Sequence, residues 1–229
     1  MEKIIKRIYT TSLFYTKEQA QALKAQRDVL MQRYGFFVTN AAQITGIDLT
    51  VFQSIIVVEN GQSLDINYVS SVGAVGLTQI TPNTATDTLF RMKKANRITE
   101  VEKDALKRKG IDIDLLSGNA PKAKNGKPQK WYSSAEGSIV STDQLKDVET
   151  NLIMGAMYLS ELMAKYTEPS LQGLLVRIDK VIVAYNQGFN YNVPMGTTAM
   201  IMKRVPIESK NYISKMTGIN GMLDTLSRV

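Results

Sequence analysis

Two residue types are missing from this 229-residue chain: cysteine and histidine. Without cysteine there is no disulfide, thiolate nucleophile, zinc ribbon or iron–sulfur ligation. Without histidine there is no Ser-His-Asp or Cys-His catalysis, and a metal site would have to be built from carboxylates alone. We therefore expect no cofactor and no metal. Proton chemistry near neutral pH falls to a carboxyl, a tyrosine or a lysine of shifted pKa. No apolar run approaches the roughly 18 residues that would suggest a membrane span. The start, MEKIIKRIYTTSLFYTKEQ, is basic, but Lys6, Arg7, Thr10, Thr11 and Ser12 interrupt its apolar stretch, so it does not read as a signal peptide. Internal repeats and low-complexity tracts are absent too.

What is present describes an ordinary globular chain, 44% hydrophobic and 21% charged. A single domain of this length buries somewhat over ~70% of its unfolded surface and needs no covalent staple. Lys and Arg number 28 against 21 Asp and Glu, for a net charge of +7. Such a surface favours polyanions: nucleic acid, anionic lipid or the acidic polymers of a bacterial wall. Residues 91–130 hold 12 basic and 5 acidic side chains, an excess equal to that of the whole chain. No nucleic-acid recognition motif accompanies it, so no nucleic-acid partner is expected.

The hydrophobic pattern is mostly helical. Thr16-Lys17-Glu18-Gln19 fits a capping box and Gly35 a stop, which predicts a helix over 17–34. Asp48 caps a predicted helix over about 49–60, where Phe52, Ile55, Ile56 and Glu59 share one face. Helices are also expected over 148–166, over 171–187 (Leu174, Ile178, Val181, Ile182 and Tyr185 inward, Gly188 the stop), and over about 208–217. Residues 97–109 fit a charged helix. The Gly-, Ser-, Lys- and Pro-rich stretch 117–138 reads as a long loop.

Three segments carry candidate chemistry. Glu59 sits in line with an apolar stripe at a helix C-terminus, where neighbours and helix dipole both disfavour the ionised form. It is either a general acid poised near neutrality or a helix-end carboxylate turned to solvent. Residues 70–82, SSVGAVGLTQITP, form a tight loop with two glycines three apart and an amide, Gln79, offering donor and acceptor to a polar ligand. Ala184-Tyr185-Asn186-Gln187-Gly188 ends an apolar helix in polar groups. Asp65 reads as a loop residue, and Met154 and Met157 as core.

Together, Glu59-Asn60, Ser70 to Pro82, Asn151 to Leu159 (NLIMGAMYL) and Ala184 to Gly188 resemble, in order, the blocks of the soluble lytic transglycosylase (SLT) catalytic domain. The resemblance covers about residues 45–90 and 147–215. It implies a mainly α, lysozyme-like (goose-type) fold with a small loop or hairpin region at the active site. The whole chain would be one such domain, with an N-terminal helical extension over 1–45 and a long basic insertion over 86–146. It further implies a peptidoglycan lytic transglycosylase that cleaves the MurNAc–GlcNAc β-1,4 bond and forms 1,6-anhydroMurNAc, with Glu59 as the single acid/base. Ser70, Gln79, Thr81, Asn60, Tyr185 and Asn186 would bind substrate, and the Tyr185 hydroxyl would hold Glu59. Asn60 stands where the family usually has Ser, Thr81 where it often has Met, and Gln187 where it has Ala. A muramidase acting on the same bond and a non-catalytic wall-binding or structural virion protein are the alternatives. The expected partner is the glycan strand, with anionic wall polymers on residues 91–130 unless that stretch is only a solvated face. Trp131-Tyr132 would stack on sugars or pin the loop. With no visible leader, a phage route to the wall is expected, in the virion or at lysis.

Overall fold

The structure is a computed structural model that describes residues 3–6, 16–60, 63–116, 138–170 and 173–227. Among these, helices dominate. A 29-residue helix α1 (Lys17–Thr45) opens on the expected capping box: the Thr16 hydroxyl accepts from the Gln19 amide, and the Gln19 side chain accepts in return from the Thr16 amide. The helix does not stop at Gly35. It continues to Gly46, which adopts φ 65° and closes the C-terminus. A mid-helix glycine costs about 1 kcal/mol, and burial of Val38, Ala41 and Ala42 beyond it outweighs that cost.

Helix α2 (Leu49–Asn60) forms as the pattern predicts, with Asp48 accepting from the Val51 amide at 2.9 Å. Its β-branched run does not become a strand, because Phe52, Ile55 and Ile56 recur at helical spacing and are fully buried. Helix α3 (Pro82–Lys94), not foreseen in the sequence, starts on a Thr81 cap with Pro82 in its first turn. Then come α4 (Glu100–Arg108), a 3-10 turn (Ile113–Leu115) and the short α5 (Thr142–Leu145).

Helix α6 (Val148–Lys165) is the central rod: Leu152, Met154, Met157 and Leu159 have no exposed surface, which makes both methionines core. It packs along α1 and α3. Residues 171–187 are not one helix. Strand β2 (Thr167–Ser170) pairs antiparallel with β3 (Gly173–Arg177), which also takes β1 (Lys3–Lys6) in parallel on its other side. Helix α7 (Ile178–Gln187) begins only after Arg177. Helices α8 (Thr198–Arg204), α9 (Ile207–Thr217) and α10 (Met222–Ser227) complete the chain.

The stretch expected as an insertion is not peripheral where it is described. Leu89, Met92, Leu106, Ile111 and Leu145 join the same core as α2 and α6. Its lysine cluster (Lys122, Lys124, Lys127, Lys130) and Trp131-Tyr132 lie outside the described residues, as does most of the predicted 117–138 loop. No described helix is long and apolar enough to cross a membrane.

Candidate active site

Helix α2 delivers Glu59 to the wall of a cleft of about 570 Å³. Burial pushes its carboxyl up from the ordinary 4.5 to about 7, and the Tyr212 hydroxyl and the Lys215 charge draw it only part of the way back. The same cleft is lined by Ser70, Gln79, Thr81, Tyr185 and Asn186, five of the six residues expected to bind substrate.

The sixth, Asn60, does not line it. Its amide nitrogen donates to the carbonyls of Leu77 and of Ile56, the latter at 3.2 Å, so it ties the end of α2 to the 70–82 loop. Asp65, exposed, accepts from the Asn67 amide in a local turn, as a loop residue should.

The loop is a compact double turn. Val75 bridges both Val69 and Ile80, and the Ser70 hydroxyl accepts from the Ala74 amide at 3.0 Å. Gly76 has φ 68°, and a Cβ there would meet the Asn151 amide at 2.7 Å, so both conformation and space demand glycine. Gln79 is held at φ 47°, uncommon for a side-chain-bearing residue, and its amide nitrogen donates to the Gly76 carbonyl at 2.8 Å. Thr81 lines the cleft while its hydroxyl caps α3, accepting from the Thr84 amide.

Two α6 residues seat this loop. Buried Asn151 donates to the Val75 and Leu145 carbonyls and accepts from both the amide and the hydroxyl of Thr78. Gly155 lets Thr78 approach so closely that an added Cβ would lie 2.3 Å from its methyl group.

The expected role of Tyr185 is corrected. Its hydroxyl donates to the Thr78 carbonyl at 2.9 Å rather than to Glu59. Its ring leans on Tyr158, centroids 5.1 Å apart, and the Tyr158 hydroxyl donates to the Ala184 carbonyl. The tyrosine that acts on Glu59 is Tyr212 of α9. Its buried hydroxyl interacts with the carboxyl but makes no well-formed hydrogen bond. Nothing in the local pattern of 208–217 marks Tyr212, since an inward tyrosine on an amphipathic helix reads as packing. Glu208, exposed one turn earlier, also lines the cleft, and sequence reasoning missed it as well. Asn186 faces the cleft with its side-chain oxygen accepting from the Ser209 hydroxyl and the Gln187 amide.

Neutral hydroxyls and amides thus surround one protonatable carboxyl, with a second carboxylate at the rim. Among the described residues no group of three or more Asp or Glu is arranged to hold a metal.

Residues 126–196 match the family of the transglycosylase SLT domain. That match spans 71 of the 229 residues. The matched stretch takes in Asn151–Leu159 and Ala184–Gly188 and begins after Glu59 and the 70–82 loop. The loop reaches it physically, through Asn151 and Tyr185, both of which bond to Thr78. Among solved structures, an inactive mutant of the lytic transglycosylase Slt from Pseudomonas aeruginosa is similar at 19% identity and a TM-score of 0.45. The similarity covers 86% of this chain and 24% of that one, so this chain spans about a quarter of that protein's length. No curated protein matches it in sequence.

Proposed function

We propose that the chain is a peptidoglycan lytic transglycosylase and that Glu59 is its single acid/base. The observation that carries the reading is a carboxyl raised to about 7 on the wall of a cleft whose other groups are mostly hydroxyls and amides. Such walls suit a hydroxylated, acetamido-bearing polymer, and the SLT-domain match supports the same substrate.

Protonated Glu59 gives its proton to the oxygen joining MurNAc to GlcNAc, and the bond from that oxygen to the MurNAc anomeric carbon breaks. The substrate's own N-acetyl group stabilises the electron-poor carbon, so no carboxylate nucleophile is needed. The Glu59 carboxylate then takes the proton of the C6 hydroxyl as its oxygen closes on the anomeric carbon. The product is 1,6-anhydroMurNAc, no water is consumed, and Glu59 ends protonated as it began. A pKa near 7 suits both halves of this cycle, since neither proton transfer is then far uphill. Tyr212 and Lys215 stabilise the transient carboxylate, which burial alone would penalise.

In this reading Ser70, Gln79, Thr81, Tyr185 and Asn186 contact the glycan. Asn60 acts one step back, by fixing the loop. Anionic wall polymers on the basic 91–130 stretch remain part of the proposal, supported by its charge. A second reading, hydrolysis of the same bond by a muramidase, rests on Glu208, whose carboxylate lines the cleft and could hold a water. The direct test is clearing of purified sacculi by the wild type and by Glu59→Gln. The variant should lose at least about 10²-fold in rate while still binding sacculi. Near-normal clearing by the variant would place the chemistry on another group.

A further inference from the structure

Between Met195 and Lys215, exposed apolar surface and positive charge meet. Met195, Ile207 and Met200 are 74%, 67% and 44% exposed. Among the described residues the other large exposed apolar side chains lie in the turn beside the cleft (Tyr68, Val69, Val72) or are single residues on α1 and α4 (Phe36, Val101).

The backbone that presents this strip is pinned. The Arg177 guanidinium donates to the Gly196 carbonyl at 2.8 Å, and the Thr198 hydroxyl donates to buried Asp179 at 2.9 Å. Val193, Ile201 and Val205 sink into the core. With Thr198 and Ile201 inward, α8 turns Met200, Lys203 and Arg204, three and four residues apart, to solvent. A Cβ at Gly196 would meet the Met200 sulfur at 2.8 Å, so Met200 lies against the residue next to Met195.

Residues 195–215 hold four basic side chains, Lys203, Arg204, Lys210 and Lys215, against one acid, Glu208. Elsewhere carboxylates hold the cations, as Asp28 holds Lys24 and Glu149 holds Lys109. Among the described residues Lys203, Arg204 and Lys210 have no ion-pair partner.

A patch of this kind marks an interaction surface. Its cations would suit any polyanion, but a wall polymer of phosphodiesters offers nothing to two methionines and an isoleucine. Three apolar side chains are few for a stable protein interface of about 1,600 Å². An anionic bilayer satisfies both features, with headgroup phosphates for the cations and acyl chains for the apolar side chains. We propose that the face running from Met195 over α8 to Lys210 docks on an anionic lipid bilayer. Glu208, next to Ile207, lines the main cleft, so docking there holds the cleft beside the membrane surface. Lipid binding is independent of the glycan reading, because no residue placed in the catalytic cleft takes part.

The test is cosedimentation of the full chain with vesicles of phosphatidylcholine alone and of phosphatidylcholine mixed equally with phosphatidylglycerol. The chain should bind the mixed vesicles and leave the neutral ones, and binding should weaken as salt rises to a few tenths molar. Each basic side chain at an anionic surface strengthens binding about fivefold, so Lys203→Gln/Arg204→Gln should cost roughly 20- to 30-fold. Met195→Ser/Ile207→Ser keeps every charge and should still cost at least about tenfold. Both variants change exposed side chains only, so both should keep the wild-type melting temperature and the wild-type turnover of a short neutral glycan. If the apolar variant binds as the wild type does, the contact is charge alone and lipid is not its target. If the mixed vesicles are not bound, or if both variants bind them undiminished, the proposal is overturned whatever the chain does to glycan.

Discussion

The Glu59 carboxyl can donate a proton only while it holds one, so kcat/KM on glycan should fall as pH rises through about 7. Tyr212 is one of the groups drawing that pKa down. Tyr212→Phe should therefore move the falling limb to higher pH, and a profile unchanged from wild type would remove Tyr212 from the acid's environment. Tyr185→Phe should leave the limb in place. Its cost should appear as lost stability, since the buried Thr78 carbonyl is left without its donor, a loss of about 1–3 kcal/mol. The raised pKa also bears on folding. The unfolded chain releases the Glu59 proton near 4.5 and the folded one only near 7, so the native state loses stability as pH rises between those values. Above pH 7 the loss approaches about 3 kcal/mol as an upper figure. Glu59→Gln should accordingly unfold later than wild type in denaturant at pH 7.5, with the gain vanishing at pH 4. Equal midpoints at both values would show that Glu59 is not desolvated. Glu59 was legible in the sequence because its apolar stripe places it on the inner face of a helix end. Tyr212 was not, because its partner is 153 positions away and only the packed fold joins them.

Among elements, the 70–82 loop depends on α6 for its shape. Asn151→Ala would strip the Thr78 amide and the Val75 and Leu145 carbonyls of their partners at a fully buried site. It should lower the melting temperature by about 5–10 °C and reduce glycan binding, both read on the same purified protein. A large activity loss without thermal loss would mean that Asn151 touches substrate instead. Elements set by local chemistry were readable: the Thr16 box, the Asp48 cap and the α6 stripe all appear where the pattern puts them. Elements set by distant contacts were not. Gly35 reads as a stop until the burial of Val38 and Ala41 beyond it is known. Leu174 to Val176 fit an apolar helix face, yet they form a strand because β1, over 160 residues earlier, and the neighbouring β2 supply hydrogen bonds on both sides. The α3 cap at Thr81 was visible only as part of a loop motif.

For the whole molecule, the net +7 should act mainly on encounter with the wall. Sacculus binding should weaken as salt rises from low to a few tenths molar, while turnover of a short neutral glycan barely changes. Equal salt responses on the two substrates would assign the charge to solvation alone. The reaction itself is decided by its products. Mass spectrometry of sacculi digested by the purified chain should find muropeptides ending in 1,6-anhydro-N-acetylmuramic acid, formed without water. Products one water heavier, with free reducing ends, would contradict transglycosylation and make the chain a muramidase.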